Sequence, residues 1–422
     1  MKPVMVPVAS EACQRRDACR LCGSHHLVEV LSLTPTPPAN AFVDAGAVSE
    51  EQAAFPLDVF MCEDCAHVQL LDVVDPAVLF ENYVYVSGTS PVFIKHFENY
   101  AQSVCDRLQM EADSLVVDIG SNDGTLLGFF QVAGHQVLGI DPARDIARDA
   151  SARGIETWPE FFNRELVGRI REKYGSASVI TANNVFAHAD DLAGMAEGIR
   201  ALLSDDGVFV FEVSYLVDIY EQTLFDTIYH EHLAYHTVNP LRRFFAAAGM
   251  ELIAAERIDT HGGSLRGTAQ LANGPHAVDP SVDELIALEE SLGLDQPETL
   301  KAFGGQIERV KHDLMALLSQ LKSDGKSIAG FGAPAKATTL MYHFGIGPEA
   351  IDFIVDDSPL KQGLYSPGLH IPVLSSDAIE EHQPDYLLIL AWNFAEPIIA
   401  KNQIFRDRGG KFILPLPEVA VR

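Results

Sequence analysis

The feature that most constrains the fold is an apolar run followed at once by a glycine-containing polar turn. Residues 115–119 read Leu-Val-Val-Asp-Ile, a pattern typical of a strand buried on both faces of a parallel sheet. Gly120 and Gly124 enclose the turn, and an apolar helical pattern begins at Thr125. A strand, a glycine turn and a helix N-terminus form the crevice in which doubly wound α/β proteins bind a cofactor. The stretch therefore predicts a Rossmann-like α/β domain.

The acidic residues of this region favour a cofactor with a cationic centre. Asp118 lies near the end of the strand, Asp123 lies inside the turn, and Asp141 follows a second predicted strand at 135–140. The turn departs from the pattern G-x-G-x-x-G, and its two acids would repel a pyrophosphate. An acid in the position of Asp141 commonly accepts hydrogen bonds from ribose hydroxyls. The turn resembles motif I of the S-adenosylmethionine-dependent methyltransferases, and a generic Rossmann turn of a dehydrogenase or epimerase is the alternative.

Three more strands are predicted at 155–158, 178–182 and 207–213, so the central domain is expected to span residues 73–275. In open parallel sheets, functional groups gather at the carboxyl ends of the strands. The residues predicted to bind the cofactor are Asp118, Gly120, Ser121, Asp123, Gly124, Asp141, Asn183 and Asn184.

Length and charge limit the possible classes of protein. A chain of 422 residues is too long for one compact core, so two or three domains are expected. It contains no run of eighteen apolar residues and no apolar signal-peptide core, which predicts a cytoplasmic protein without a membrane span. The net charge of −29 argues against nucleic acid as a partner. We expect a monomer that acts on a small molecule.

Four of the six cysteines form two C-x-x-C pairs, which predict a metal site. Cys19 with Cys22, and Cys62 with Cys65, supply four thiolates in a chain without a secretory signal, and four thiolates favour a closed structural zinc site. The separation of the pairs is longer than in ordinary zinc ribbons, so the intervening segment must hold structure of its own. Residues 1–72 are therefore predicted to form a zinc-binding module. A redox dithiol is the alternative.

The densest cluster of titratable side chains lies at 226–236, which reads Asp-Thr-Ile-Tyr-His-Glu-His-Leu-Ala-Tyr-His. The spacing is not H-E-x-x-H, so a zinc-protease site is not supported. Histidine can take up a proton near neutral pH, and tyrosine hydroxyls can donate to a developing oxyanion. We interpret the cluster as an acid–base site. A polar interface is one alternative, and a metal site formed by His232 and His236 on one helical face is another.

The C-terminal part of the chain contains a helical connector and a second α/β pattern. Residues 276–325 are predicted to be helical, and residues 326–422 again show a strand, a glycine turn and a helix. This second turn carries Lys336 instead of acids, which suits a phosphate. The residues predicted to bind the substrate are Arg266, Ala333, Lys336, Trp392 and Asn393.

Together these motifs resemble the bacterial deoxysugar C-methyltransferases over nearly the whole chain. The resemblance rests on the four-cysteine module, the loop at 118–124, the block at 229–232 and the turn at 332–336. It implies S-adenosylmethionine as cofactor, a structural Zn²⁺, and a dTDP-linked 4-keto-6-deoxysugar as substrate in antibiotic sugar biosynthesis. Methylation at C-3′ is expected, with C-5′ as the alternative. The family also implies that the C-terminal domain helps to hold the nucleotide.

The resemblance further assigns catalytic roles to named positions. The proposed base of the family falls on His232, and the remaining active-site residues are Glu231, Tyr229, His188 and Tyr83. A base would remove a proton beside the ketone, and the resulting enolate carbon would attack the methyl group. The rival functions are O- or N-methylation of a sugar or small metabolite, and a binding module with a degenerate Rossmann domain.

Overall fold

The structure is a computed structural model that describes residues 12–80, 91–260 and 262–422. It contains three units, which we call the N-terminal, central and C-terminal units, and a helical connector joins the last two. Within the described ranges, none of the helices combines the length and apolar character needed to cross a lipid bilayer.

The N-terminal unit is a small antiparallel β structure. Its elements are β1 (Cys13–Arg15), β2 (Leu27–Thr36), β3 (Phe55–Cys62), β4 (Val68–Leu70), β5 (Asp72–Val74) and α1 (Pro76–Phe80). Strands β2, β3 and β4 form an antiparallel sheet, and β1 pairs with β5. The β2–β3 hairpin occupies most of the long segment between the two cysteine pairs, as the spacing of the pairs predicted.

The central unit is a seven-stranded sheet with helices on its faces. Its elements are α2 (Pro91–Leu108), β6 (Leu115–Ile119), α3 (Thr125–Val132), β7 (Gln136–Ile140), α4 (Arg144–Ala152), β8 (Thr157–Trp158), α5 (Arg164–Tyr174), β9 (Ala177–Asn183), α6 (Leu192–Leu202), β10 (Leu203–Ser214), α7 (Leu216–Glu221), a 3₁₀ turn (Phe225–Thr227), β11 (Ala234–Tyr235), α8 (Val238–Ala247), β12 (Met250–Ile258) and β13 (Ser264–Leu271).

The strand order of the central sheet is β12-β13-β10-β9-β6-β7-β8. Strands β6 to β10 pair in parallel, and the β12–β13 hairpin adds two antiparallel strands at one edge. Every residue of β6 is buried, which explains why all of its residues except Asp118 are apolar. The chain reverses its direction of winding between β6 and β9, and a crevice of this kind binds the ligand in doubly wound folds.

Strand β11 belongs by sequence to the central unit but pairs with the N-terminal unit. Ala234 and Tyr235 lie opposite Gln69 and Val68 of β4, so β11 becomes the outer strand of the N-terminal sheet. This pairing could not be predicted from the sequence, because a two-residue strand has no periodicity to recognise. The pairing fixes the 226–236 block to the cysteine-containing unit.

The connector and the C-terminal unit complete the chain. The connector consists of α9 (Ser281–Ser291) and α10 (Pro297–Ser323), close to the predicted helices. The C-terminal unit contains β14 (Ile328–Phe331), α11 (Ala335–Phe344), β15 (Ile354–Val355), β16 (Val373–Leu374), α12 (Ala378–His382), β17 (Tyr386–Ile389), a 3₁₀ turn (Trp392–Phe394), α13 (Ala395–Lys401), α14 (Gln403–Asp407), β18 (Lys411–Leu414) and β19 (Ala420–Val421).

The C-terminal sheet has the order β16-β15-β14-β17-β18-β19, parallel except for β19. It is a second Rossmann-like sheet, as predicted, and its winding reverses between β14 and β17. Helix α11 packs on both β2 and the 3₁₀ turn of the central unit. One continuous cluster of buried apolar side chains includes residues from all three units. The units therefore share a core.

A buried carboxylate joins the connector to the central unit. Glu289 of α9 is 4% exposed and accepts hydrogen bonds from the Tyr215 hydroxyl (2.8 Å) and from the backbone N–H groups of Val238 (2.7 Å) and Asn239 (3.3 Å). The N–H groups of Val238 and Asn239 lie in the first turn of α8, where no carbonyl group of the helix can accept from them. The residue before the helix, Thr237, provides no side-chain cap. One side chain thus satisfies three buried donors.

We predict that Glu289→Ala destabilises the protein by about 2–4 kcal/mol, because three buried donors lose their acceptor. Calorimetric melting should show a transition several degrees lower. The matched control is Glu290→Ala, which removes an exposed carboxylate from the next position of the same helix. Equal melting temperatures for the two variants would contradict the prediction.

Candidate active site

The glycine turn of the central unit lies against the loop that follows β9. Gly120 has φ +72°, and a Cβ atom at this position would lie 2.2 Å from a methyl carbon of Val185. Glycine is therefore required both by the left-handed backbone and by the close approach. Because Val185 belongs to the loop after β9, the two loops that flank the reversal point of the sheet are in direct contact.

The carboxylate of Asp141 is fixed by the backbone at the end of β7. Its Oδ2 accepts a hydrogen bond from the N–H of Asn122 (2.8 Å), and its Oδ1 accepts one from the N–H of Ala143 (2.9 Å). Each carboxylate oxygen can accept more than one hydrogen bond. The geometry therefore leaves Asp141 able to accept hydrogen bonds from ribose hydroxyls.

Asp118 and Asp123, the other two acids near the glycine turn of the central unit, form hydrogen bonds that stabilise this region. Asp118 accepts a hydrogen bond from the Thr181 hydroxyl (2.6 Å), and burial raises the pKa of its carboxyl to about 7. Asp123 accepts hydrogen bonds from the N–H (3.2 Å) and hydroxyl (2.7 Å) of Thr125, the first residue of α3. Both carboxylates thus shape the crevice from within, and direct contact with a cofactor stays a prediction for them.

Two polar side chains at the crevice are buried and have no hydrogen-bond partner among the described residues. They are the amide of Asn183 and the hydroxyl of Ser121. Buried polar groups in folded proteins are almost always paired, so unpaired ones at a crevice indicate the place of a ligand or an ordered water. These orphaned groups, the close-approach glycine and the available Asp141 carboxylate fit a polar nucleoside cofactor.

The loop after β9 connects the cofactor crevice to the predicted acid–base block. His188 lies three residues after Val185, and its ring stacks on the ring of His232 with 5.0 Å between centroids. The ring centroids of Tyr229 and His232 are 4.1 Å apart. Three of the predicted catalytic side chains therefore lie together beside the crevice. Tyr83, the remaining tyrosine, lies outside the described residues.

The ring of His232 is oriented by a backbone carbonyl. Its Nδ1 lies 2.8 Å from the carbonyl oxygen of Thr227. A carbonyl oxygen can only accept, so Nδ1 carries the proton and donates it in this bond. In the neutral ring Nε2 is then the unprotonated nitrogen, which is the one that can act as an acceptor. The backbone thus selects the tautomer in which Nε2 can accept a proton.

Glu231 is an unusual carboxyl group next to this histidine in sequence. It is 4% exposed, and burial raises the pKa of its carboxyl to about 7, although a hydrogen bond from the Asn40 side chain (2.9 Å) opposes the shift. Such a group exchanges protons near neutral pH, as a general acid or base must. Asn40 was not predicted from the sequence, because it follows a proline-rich run that resembles an ordinary loop.

The other two histidines of the block, His230 and His236, are buried and contact the N-terminal unit. His236 stacks on His67 of the N-terminal unit with 5.4 Å between centroids. A ring nitrogen of His230 lies 3.2 Å from the carbonyl oxygen of Phe55. The chain between His232 and His236 contains β11 and is not helical. The alternative of a metal bound by these two histidines on one helical face is therefore wrong.

The four predicted cysteine ligands converge on one point. All four Sγ atoms lie within 4.8 Å of one another, with 3.6 Å between Cys19 and Cys65 and 3.5 Å between Cys22 and Cys62. Tetrahedral zinc with Zn–S bonds of about 2.3 Å separates its sulfur ligands by about 3.8 Å. The thiolates therefore fit one Zn²⁺, and four sulfur ligands leave no open position for a substrate.

The predicted substrate-binding residues lie in two different units, Arg266 in the central unit and the others in the C-terminal unit. Arg266 lies on β13, and its Nε donates to Glu212 over 2.7 Å. Lys336 points into the protein, where its amine lies over the ring of Trp392. Ala333 and Asn393 lie in the loops after β14 and β17, at the reversal point of the C-terminal sheet. Contact of these residues with a substrate stays a prediction.

Comparison with known proteins agrees with this geometry. Family models match residues 19–80 as a zinc binding domain, 93–255 as a methyltransferase domain and 259–417 as a C-methyltransferase C-terminal domain. The C-methyltransferase NovU of Streptomyces niveus is 38% identical over 405 residues, which cover 96% of each chain. An uncharacterized methyltransferase of Alkaliphilus oremlandii is 32% identical over 74 residues, 17% of this chain and 33% of that protein.

Among solved structures, magnesium protoporphyrin IX methyltransferase from Synechocystis with bound S-adenosylmethionine is 14% identical. The similarity covers 42% of this chain and 81% of that chain, with a TM-score of 0.32, which is too low to support a functional conclusion.

We predict that Cys65→Ser lowers stability by several kcal/mol, because metal binding at such sites is coupled to folding. Metal analysis of the purified wild-type protein should give about one zinc per chain. Cys105→Ser, outside the cluster, is the control and should keep both the metal and the stability. Folded protein that contains no zinc would disprove the site.

A second prediction concerns the cofactor crevice. Asp141→Ala should weaken S-adenosylmethionine binding by about 1–3 kcal/mol, because a charged acceptor for the ribose hydroxyls is lost. Titration calorimetry measures the change directly. Asp145→Ala, an exposed acid in the first turn of α4, is the matched control. An unchanged affinity of the Asp141 variant would reject the assignment.

Proposed function

Because the chain belongs to the family of S-adenosylmethionine-dependent C-methyltransferases, we propose that its methyl acceptor is C-3′ of a dTDP-linked 4-keto-6-deoxysugar. The enzyme would act as a cytoplasmic monomer in the biosynthesis of an antibiotic sugar. The observation that carries the proposal is the hydrogen bond from His232 Nδ1 to the Thr227 carbonyl, which leaves Nε2 as a base beside the cofactor crevice.

Methylation at a carbon requires the loss of a proton from that carbon. The 4-keto group acidifies the C–H bonds at C-3′ and C-5′, so a base of moderate strength is sufficient. When the C–H bond breaks, the proton moves to the base and the electron pair forms an enolate. S-adenosylmethionine, when bound, supplies an electrophilic methyl group and leaves as S-adenosylhomocysteine once the new C–C bond has formed. The protein must supply the base, donors to the enolate oxygen, and alignment.

His232 suits the role of base on both chemical and geometric grounds. Imidazole is the side-chain group whose ordinary pKa lies closest to neutral pH, which suits a general base. The imidazolium that forms keeps its hydrogen bond to the Thr227 carbonyl, which favours the charged form. The contact between its ring and Tyr229 brings a hydroxyl-bearing side chain to the same place, and such a hydroxyl can donate a hydrogen bond to the enolate oxygen.

Glu231 is the competing base. The pKa of about 7 for its buried carboxyl means that both protonation states are populated near neutral pH. In the protonated state it could donate to the enolate oxygen, and in the ionised state it could remove the proton. The hydrogen bond from Asn40 fixes its orientation in either state. We assign the proton removal to His232 and a positioning or donor role to Glu231.

The C-terminal unit provides a second crevice that suits the nucleotide. Asp356, at the end of β15, accepts hydrogen bonds from the N–H groups of Ala333 (2.6 Å) and Ser358 (2.8 Å), which repeats the arrangement around Asp141. Lys361 donates to the carbonyl oxygen of Ala333 over 2.8 Å. These groups combine an acid for ribose hydroxyls with a local positive charge in an otherwise acidic protein, which suits a nucleoside diphosphate.

We predict that His232→Asn reduces exchange of the substrate C–H hydrogen with D₂O by about 10²–10⁴-fold, because the general base is lost. NMR measures deuterium uptake at the carbons beside the ketone of a dTDP-4-keto sugar, with S-adenosylhomocysteine in place of the methyl donor. Asn at the exposed His312 of α10 is the control substitution. Glu231→Gln is measured in parallel.

The outcomes separate the alternatives. Exchange that survives in His232→Asn but is lost in Glu231→Gln would make Glu231 the base. Exchange at C-5′ instead of C-3′ would indicate that C-5′ is the carbon that is methylated. Methyl transfer to a product that keeps every ring C–H hydrogen of the substrate would indicate an oxygen or nitrogen acceptor and would overturn the proposal.

A further inference from the structure

A buried lysine and a buried aspartate face each other where the C-terminal and central units meet. Lys336 lies in the first turn of α11, and Asp226 lies in the 3₁₀ turn of the central unit. Their side chains are 10% and 0% exposed, and 3.9 Å separates Nζ from Oδ2. The Lys336 amine lies 4.2 Å from the centre of the Trp392 ring, and the indole N–H donates to Asp226 Oδ2 over 2.7 Å.

The pair is not explained by stability alone. At 3.9 Å the two charges attract without forming a hydrogen bond, and within the described part of the chain neither Lys336 Nζ nor Asp226 Oδ1 has a hydrogen-bond partner. Burial lowers the pKa of the Lys336 amine and raises the pKa of the Asp226 carboxyl, so both charged forms are disfavoured by their surroundings. Buried pairs of this kind contribute little net stability compared with apolar residues.

The same helix also holds the backbone that orients His232. The Thr339 hydroxyl, one turn along α11 from Lys336, donates to the carbonyl oxygen of Ile228 over 2.8 Å. Thr227 therefore lies between two residues that α11 holds, Asp226 on one side and Ile228 on the other. Its carbonyl accepts the hydrogen bond from His232 Nδ1. The position of that carbonyl depends on contacts from a different structural unit.

We propose that Lys336 is a positioning residue for the catalytic base. Through Asp226 and Trp392 it fixes the Thr227 carbonyl, which selects the tautomer of His232 and aims Nε2 at the substrate. This inference rests on the proposed function, since it requires His232 to act as a base. It differs from the phosphate contact predicted for Lys336, because a positioning residue affects the rate of proton removal whereas a phosphate ligand affects substrate affinity.

The test compares Asp226→Asn, Lys336→Met and the double variant. Asparagine keeps an acceptor for the Trp392 indole and loses only the charge. We expect each single variant to lower kcat and the deuterium exchange rate by about 10- to 100-fold, since small displacements of a catalytic group have effects of this order. KM for the sugar nucleotide should stay within about twofold. The double variant should be no slower than the slower single variant, because both changes remove one interaction.

The pH profile separates positioning from a simple effect of charge. A hydrogen bond from Nδ1–H stabilises the imidazolium, so a displaced carbonyl lowers the pKa of His232. In both single variants, the fall of the exchange rate on the acidic side of the pH profile should then occur at a lower pH. If the pair acted only through its electric field, loss of the negative charge would move this fall to lower pH and loss of the positive charge would move it to higher pH. Shifts of opposite sign would overturn the inference.

An exposed pair in the same unit provides the matched control. Lys326 and Asp385 are 3.1 Å apart and 44% and 39% exposed, at the opposite end of β14 from the glycine turn. Lys326→Met and Asp385→Asn should leave kcat, KM and exchange unchanged. If Lys336→Met does not fold, Lys336→Arg and Asp226→Glu replace the neutral variants, because they keep the charges and displace them.

Two results would overturn the inference while leaving the proposed function intact. One is a raised KM with unchanged kcat in Lys336→Met, which would make Lys336 a ligand of the substrate phosphates. The other is wild-type exchange in both single variants. Failure of the wild-type enzyme to exchange hydrogen with any 4-keto sugar nucleotide would instead remove the proposed function itself.

Discussion

The architecture depends on the need to satisfy the backbone of an irregular segment. Residues 226–236 form neither a long helix nor a long strand, so many of their polar groups need partners from elsewhere. The Leu233 N–H donates to Ala187 of the central unit, and the Leu233 carbonyl accepts from Leu70 of the N-terminal unit. The Ile228 carbonyl accepts from Thr339 of the C-terminal unit. Each unit therefore helps to hold the segment that carries His232.

The zinc site is distant in sequence from this segment but is connected to it by one side chain. Arg20 lies between the ligands Cys19 and Cys22 and donates to Gln69 Oε1 (3.1 Å) and to the carbonyl oxygens of Leu70 and Leu233 (3.4 Å for the latter). A metal bound by Cys19 and Cys22 would also hold the backbone of Arg20 in place. The closed four-sulfur site thus fits a structural role, in which zinc stabilises the unit that packs against residues 226–236.

The sequence predicted the elements that are determined by local patterns. They include the buried strands of the central sheet, the two connector helices and the second glycine turn. These elements could be predicted because apolar periodicity and the positions of glycines can be read from a single sequence. The four cysteines were recognised because the C-x-x-C spacing is itself the geometry of two ligands. In contrast, the strand at Ser264–Leu271 was not predicted, because its antiparallel partner β10 is distant in sequence.

The candidate site shows the same division. The sequence by itself determined which chemical groups are present: the acids of the first turn, four thiolates, and the tyrosine, glutamate and histidine of the 229–232 block. Only the tertiary structure decided their states, because tautomer and pKa depend on neighbours and burial. The Thr227 carbonyl selects the proton position on His232, and burial raises the pKa of Glu231 to about 7. Likewise, the sequence predicted Lys336 as a phosphate ligand, and only the packing of two units showed that its amine is buried beside Asp226.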